Sequence, residues 1–138
     1  MTYKIVKDRR AWWPVEWAGV DEEGAIVTNR IELRMRLMKV NEAYAVAAEV
    51  DRSRVIESTA DEAGAAGGDA AAQQIALWTA LVMRMADNWR GVEAENGEAL
   101  PWSEANVALL VNEPGLFNHI FAAFGDAMNA RERLREGN

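Results

Sequence analysis

Arg30-Ile31-Glu32-Leu33-Arg34-Met35-Arg36-Leu37-Met38 is the stretch whose reading decides the fold. Ile31, Leu33, Met35 and Leu37 alternate with Arg30, Glu32, Arg34 and Arg36. A period of two places every apolar residue on one face of a β-strand and every charge on the other. Wound as a helix, the same residues would surround the axis with charge. The stretch therefore predicts a strand with one buried face.

Working towards the N-terminus, Trp13, Val15 and Trp17 alternate in the same way. Pro14 cannot donate a ladder hydrogen bond, so this second strand belongs at a sheet edge or carries a bulge. Asp21-Glu22-Glu23-Gly24 reads as the turn between the two strands. Tyr3–Val6 is a candidate for a further strand. A hairpin or small sheet of this kind is not stable alone in water, so helices must cover one face.

Working towards the C-terminus, the chain reads as helical. Asn41 is the expected N-cap of a helix from Glu42 to about Ser58. Asp61–Gly68 is small and glycine-rich and reads as a connection. Asp69 then caps a helix in which Ile75, Trp78, Val82, Met85 and Trp89 recur every three or four residues. Leu77 and Leu81 widen this stripe, while Gln73, Gln74, Arg84, Asp87 and Asn88 lie away from it. Gly91 or Asn96-Gly97 ends the element. Ser103 is the expected N-cap of the next helix, with Trp102 and Val107 as a hydrophobic staple. Pro114 stops that helix and enters the first turn of the last one. There Phe117, Ile120, Phe121, Phe124 and Met128 share a face, and Arg131, Arg133 and Arg135 follow near the C-terminus. The expected class is α+β: an N-terminal β-hairpin or small antiparallel sheet packed against about four helices. A single domain over 1–138 is expected, with a β region at 1–40, a helical region at 41–138 and a Gly/Ala-rich connection near 61–69.

Composition narrows the function classes. A chain of 138 residues, half of them hydrophobic, can bury a core without a metal or disulfide staple. It has no cysteine and one histidine, which excludes a disulfide framework, a thiolate site and a cysteine nucleophile. His119 alone cannot supply a zinc site. Glu93, Glu95 and Glu98 lack the order of a calcium loop. No nucleotide-binding glycine motif is present. No cofactor, metal or catalytic residue is expected. No apolar run approaches the ~20 residues of a membrane span, and the first residues lack a signal peptide's apolar region.

The net charge of -7 is unevenly spread. Residues 1–40 carry eight Lys/Arg against six Asp/Glu, a balance of +2; residues 41–138 carry seven against sixteen, a balance of -9. Nucleic-acid binding is not expected of so acidic a chain. A mildly basic β half and an acidic helical half suit contacts between copies and with other chains. The six tryptophans fall in two groups: Trp12, Trp13 and Trp17, then Trp78, Trp89 and Trp102. The candidate contact residues are Trp12 and Trp13 near the N-terminus, Arg34 and Arg36 on the strand, and Trp89 and Arg90 at the turn.

Asn88-Trp89-Arg90-Gly91-Val92-Glu93-Ala94-Glu95-Asn96-Gly97-Glu98-Ala99-Leu100-Pro101-Trp102-Ser103-Glu104 resembles the tail assembly chaperones of long-tailed bacteriophages and their prophages. In that family a helix ends in a Trp-Arg-Gly-Val-like turn, followed by an acidic loop with Asn-Gly or Asp-Gly. A Leu-Pro-aromatic-Ser helix start, a helix with paired leucines (here Leu109-Leu110) and a proline-initiated helix come next. The likeness is clearest over residues 85–130, with Trp102 where the family more often has phenylalanine. It implies a non-enzymatic protein of the bacterial host cytoplasm. Such a protein self-associates, keeps the tape measure protein soluble and recruits tail tube subunits. The resemblance carries no catalytic residue. Three other readings remain open: a structural virion component such as a head or tail completion protein, an acidic regulatory or interaction domain, and a small enzyme with an acidic site.

Overall fold

The computed structural model describes residues 2–63 and 67–130. The element order is β1 (Arg10–Val20), β2 (Ile26–Arg36), α1 (Val40–Ala63), α2 (Gly67–Met85), β3 (Ala86–Arg90), α3 (Glu104–Val111) and α4 (Leu116–Asn129). The fold is α+β: among the described residues there is one three-stranded antiparallel sheet, ordered β1-β2-β3, with four helices.

The alternation in β2 fixes the layers. Ile31, Leu33 and Met35 are buried, and opposite them on β1 so are Trp13 and Val15. They form one core with Val82 and Met85 of α2 and Phe117, Ile120 and Phe124 of α4. α4 lies against β1, and α2 touches the other three helices as well as β2 and β3. Pro14 sits on the edge strand β1, where its missing N–H costs no ladder bond. Asp21 closes the β1–β2 turn by accepting the Glu23 and Ala25 amides on its carboxylate, at 3.0 and 2.9 Å.

Several boundaries differ from the sequence reading. Tyr3–Val6 is not a strand; the third strand is β3, far along the chain. The Lys39 carbonyl accepts the first bond of α1, from Ala43 N, so this helix starts ahead of Asn41, and it runs past Ser58 to Ala63. α2 starts at Gly67 and places Asp69 inside its first turn. Of the expected connection, 64–66 lie outside the described residues, and so do Arg131, Arg133 and Arg135. Pro114 lies in the turn between α3 and α4, and Gly115, in the left-handed region at φ 76°, caps α4. These two helices meet at 108°. Gln74, expected on the open face of α2, is buried and donates from Nε2 to the Ser53 carbonyl at 3.3 Å.

The largest difference concerns Trp89. The apolar stripe of α2 holds through Met85, but Ala86–Arg90 then leave the helix and pair with β2. Leu33 faces Trp89 and Met35 faces Ala86, with a register shift between them. That bulge turns residues three apart, Ala86 and Trp89, onto the same buried side. Helical spacing and a bulged strand thus leave the same trace in the sequence.

Ser103 caps α3 as expected: its Oγ accepts the Asn106 amide at 3.1 Å. Ser103→Ala is expected to cost about 1 kcal/mol. In urea titration this is a lower midpoint with an unchanged slope; an unmoved midpoint would show that the cap contributes nothing.

Candidate functional site

The residues from Asn88 to Glu104 form one compact unit. β3 ends at Arg90 and is followed by Gly91, whose φ of 86° suits glycine. The chain then makes a small acidic hairpin: Glu93 bridges Ala99, and the Ala94 amide donates to the Glu98 carbonyl at 2.8 Å. Asn96 accepts the Glu98 amide on Oδ1 at 3.0 Å, and the Gly97 amide donates to the Ala94 carbonyl at 2.9 Å. Glu93, Glu95 and Glu98 are exposed. Trp89 ties the hairpin to the core. Its Nε1 donates to the Leu100 carbonyl at 2.8 Å, and its ring meets Trp102 edge to face at 5.2 Å.

The helices cover one face of the sheet, and the polar positions of β1, β2 and β3 form the other. Arg10, Trp12 and Glu16 of β1 lie beside Arg36, Arg34 and Arg30 of β2. Three groups organise this face. Arg30 pairs with Glu16 at 3.0 Å. Arg90 pairs with Glu32 at 3.2 Å, and its guanidinium lies 4.0 Å from the centre of the Trp12 ring. Arg34 grips Asp87 with Nε at 2.6 Å and Nη2 at 3.1 Å, and Arg10 binds the same carboxylate.

Asp87 is the central anion of this face, and its side chain is only 13% exposed. Burial pushes its carboxyl up. The hydrogen bonds and charges of Arg34 and Arg10 outweigh that and hold it below the ordinary 3.8. The bond to Asp87 in turn raises Arg34. A carboxyl depressed by folding stabilises the fold fully above its unfolded value, and the gain is lost as pH falls through the folded one. Stability should therefore drop as the medium is acidified below about pH 4. Asp87→Asn should lower stability at neutral pH and flatten that acid limb. Thermal unfolding across pH checks this, and parallel wild-type and variant curves would exclude the role.

The six candidate contact residues separate into two groups. Trp13 and Trp89 are 7% and 6% exposed and belong to the core, so neither offers a surface contact in this fold. Trp12, Arg34, Arg36 and Arg90 fall together on the open sheet face. Sequence reasoning missed Asp87, which it placed on the open side of a helix. The available signal was a carboxylate beside Trp89, and it became meaningful only once β3 was paired with β2. His119 is exposed on α4. Among the described residues no group of His, Cys, Asp and Glu could hold a metal ion, and no single helix is long and apolar enough to cross a membrane.

No family model matches the chain, and no curated protein or solved structure matches it either.

Proposed function

We propose that this chain is a non-enzymatic assembly chaperone of the long-tailed phage type. In this reading it acts in the bacterial host cytoplasm, self-associates, and binds the tape measure protein and tail tube subunits. The observation that carries the reading is the sheet face that no described helix covers, where Trp12, Arg34, Arg36 and Arg90 come together from three strands. A half-buried tryptophan under an arginine, ringed by further arginines, has the residue types enriched in protein interfaces. The Trp89–Ser103 segment that carries the family resemblance gives further support, since it positions Arg90 through a buried Trp89. Exposed Val20 and Ile26 at the tip of the β1–β2 hairpin add apolar surface for a helical client.

Co-expression with a tape measure protein from the same genome tests the reading. A soluble complex is the expected result. A tape measure protein that stays insoluble, with no complex recovered, would remove the proposal.

A further inference from the structure

A cleft of about 320 Å3 opens where the N-terminal segment, the start of β1, the end of β2, the start of α1 and the end of α2 converge. Lys7, Arg9, Arg10, Arg36, Lys39 and Arg84 line it, against the carboxylates Asp8 and Glu42 only. The cleft thus carries four net positive charges in a chain of net charge -7. Arg10 is bound to Asp87. Among the described residues the other five cations make no ion pair. Lys39 and Arg9 reach only backbone carbonyls, of Val6 and Lys4 respectively, and Arg9 also lies 4.7 Å from the centre of the Tyr3 ring.

The register adds a second observation. Arg10 and Arg36 stand directly opposite each other on β1 and β2. Like charges in that position destabilise a sheet. Carboxylates outnumber cations in this chain, yet among the described residues none pairs with Arg36. The third observation is apolar. Tyr3, Ile5 and Val40 are 72%, 87% and 70% exposed, and they lie on the two chain segments, before Lys7 and after Lys39, that flank the cleft. Leu37, Met38 and Met83 contribute apolar lining inside it.

We infer that this cleft is a docking site for an acidic amphipathic segment of a partner protein, whose carboxylates enter among Arg36, Lys39 and Arg84 while its apolar side chains rest on Tyr3, Ile5 and Val40. Unpaired guanidinium forks match carboxylates in pairs. The apolar flanks favour a peptide over a bare anion, which would leave them in water. The inference rests on the reading above only in taking the ligand to be a protein chain.

The test uses the full chain and a labelled helical peptide with Glu on one face and Leu on the other, followed by fluorescence anisotropy. The control peptide carries Gln at every Glu. The Glu peptide should bind, at least about tenfold more tightly than the Gln peptide, and binding should weaken steeply as salt is raised. Arg36→Glu and Arg84→Glu should each weaken it by about tenfold or more. Ile5→Ser should weaken it without changing its salt dependence. Arg36→Glu places a carboxylate opposite Arg10, which already binds Asp87, so its melting temperature should not fall while binding does. That combination separates lost binding from lost folding. The inference is overturned if neither peptide binds, if the two bind alike, or if the arginine variants bind like wild type. Displacement of the peptide by low millimolar inorganic phosphate would overturn it in favour of a small oxyanion. Tighter binding to anionic lipid vesicles than to the peptide would overturn it in favour of a membrane surface. Arg84→Glu leaves the sheet-face residues Trp12, Arg34, Arg36 and Arg90 intact: if it binds the peptide like wild type and still keeps a tape measure protein soluble, the cleft assignment falls and the chaperone reading stands.

Discussion

Trp89→Ala should lower the unfolding free energy by about 3–5 kcal/mol, one of the two largest single-residue effects expected in this chain. The indole is 6% exposed and meets Trp102 edge to face. It also holds the Leu100 carbonyl through Nε1. Truncation leaves a cavity between β3 and the acidic hairpin and frees a carbonyl that had a partner. Trp89→Phe keeps most of the apolar area and loses only the hydrogen bond, a cost of about 1–2 kcal/mol. The order is thus wild type, then Phe, then Ala, read as midpoints of denaturant unfolding. Equal midpoints for Phe and Ala would mean that packing around the ring contributes little. The substitution also bears on function: Arg90 is placed over Trp12 by the strand that Trp89 anchors. A client complex that survives Trp89→Ala at a temperature where the variant is folded would detach this turn from binding.

Phe117→Ala is the second, again about 3–5 kcal/mol. Phe117 is 2% exposed and stacks on Trp78 at 5.2 Å and on Phe121 at 6.5 Å. It joins α2 to α4, and α4 is the helix that lies against β1. Its loss should loosen the inner side of the edge strand as well as the helix pair. Hydrogen exchange is the sharper measurement here. Protection should fall in α4 and β1 together, while β3 keeps its own through Trp89. A fall confined to α4 would show that the helix and the edge strand are not coupled through this ring.

Much of the fold was legible because it is local. The period of two in Ile31–Leu37 places β2 and its buried face from nearest neighbours alone. Asp21–Gly24 marks the hairpin turn, Pro14 marks the edge, and Ser103 marks a helix start; each acts within four residues of itself. The face of α4 followed from its spacing, with Phe117, Ile120 and Phe124 buried. The candidate site was only half legible. The arginines of β2 and Arg90 were visible as charges, but Trp13 and Trp89 looked equally available and both are core. Burial of a tryptophan depends on what packs over it, and that is not written in its neighbours.

By itself, then, the sequence determined an α+β chain with an N-terminal hairpin, one of whose strands has a strongly apolar face, followed by helices. These are consequences of periodicity, turn chemistry and capping, whose range is a few residues. Tertiary structure alone decided where α2 ends. Ala86–Arg90 become a strand because β2 offers them an unpaired edge, more than fifty residues away in the chain, and a bulge reconciles helix-like spacing with a buried sheet face. That pairing brings Asp87 to Arg34 and Arg10, and Arg90 to Trp12. The basic cleft is decided in the same way, by five segments meeting at one end of the molecule. Charges separated in sequence acquire a common field only when the fold sets them side by side, because their interaction falls off within about 10 Å.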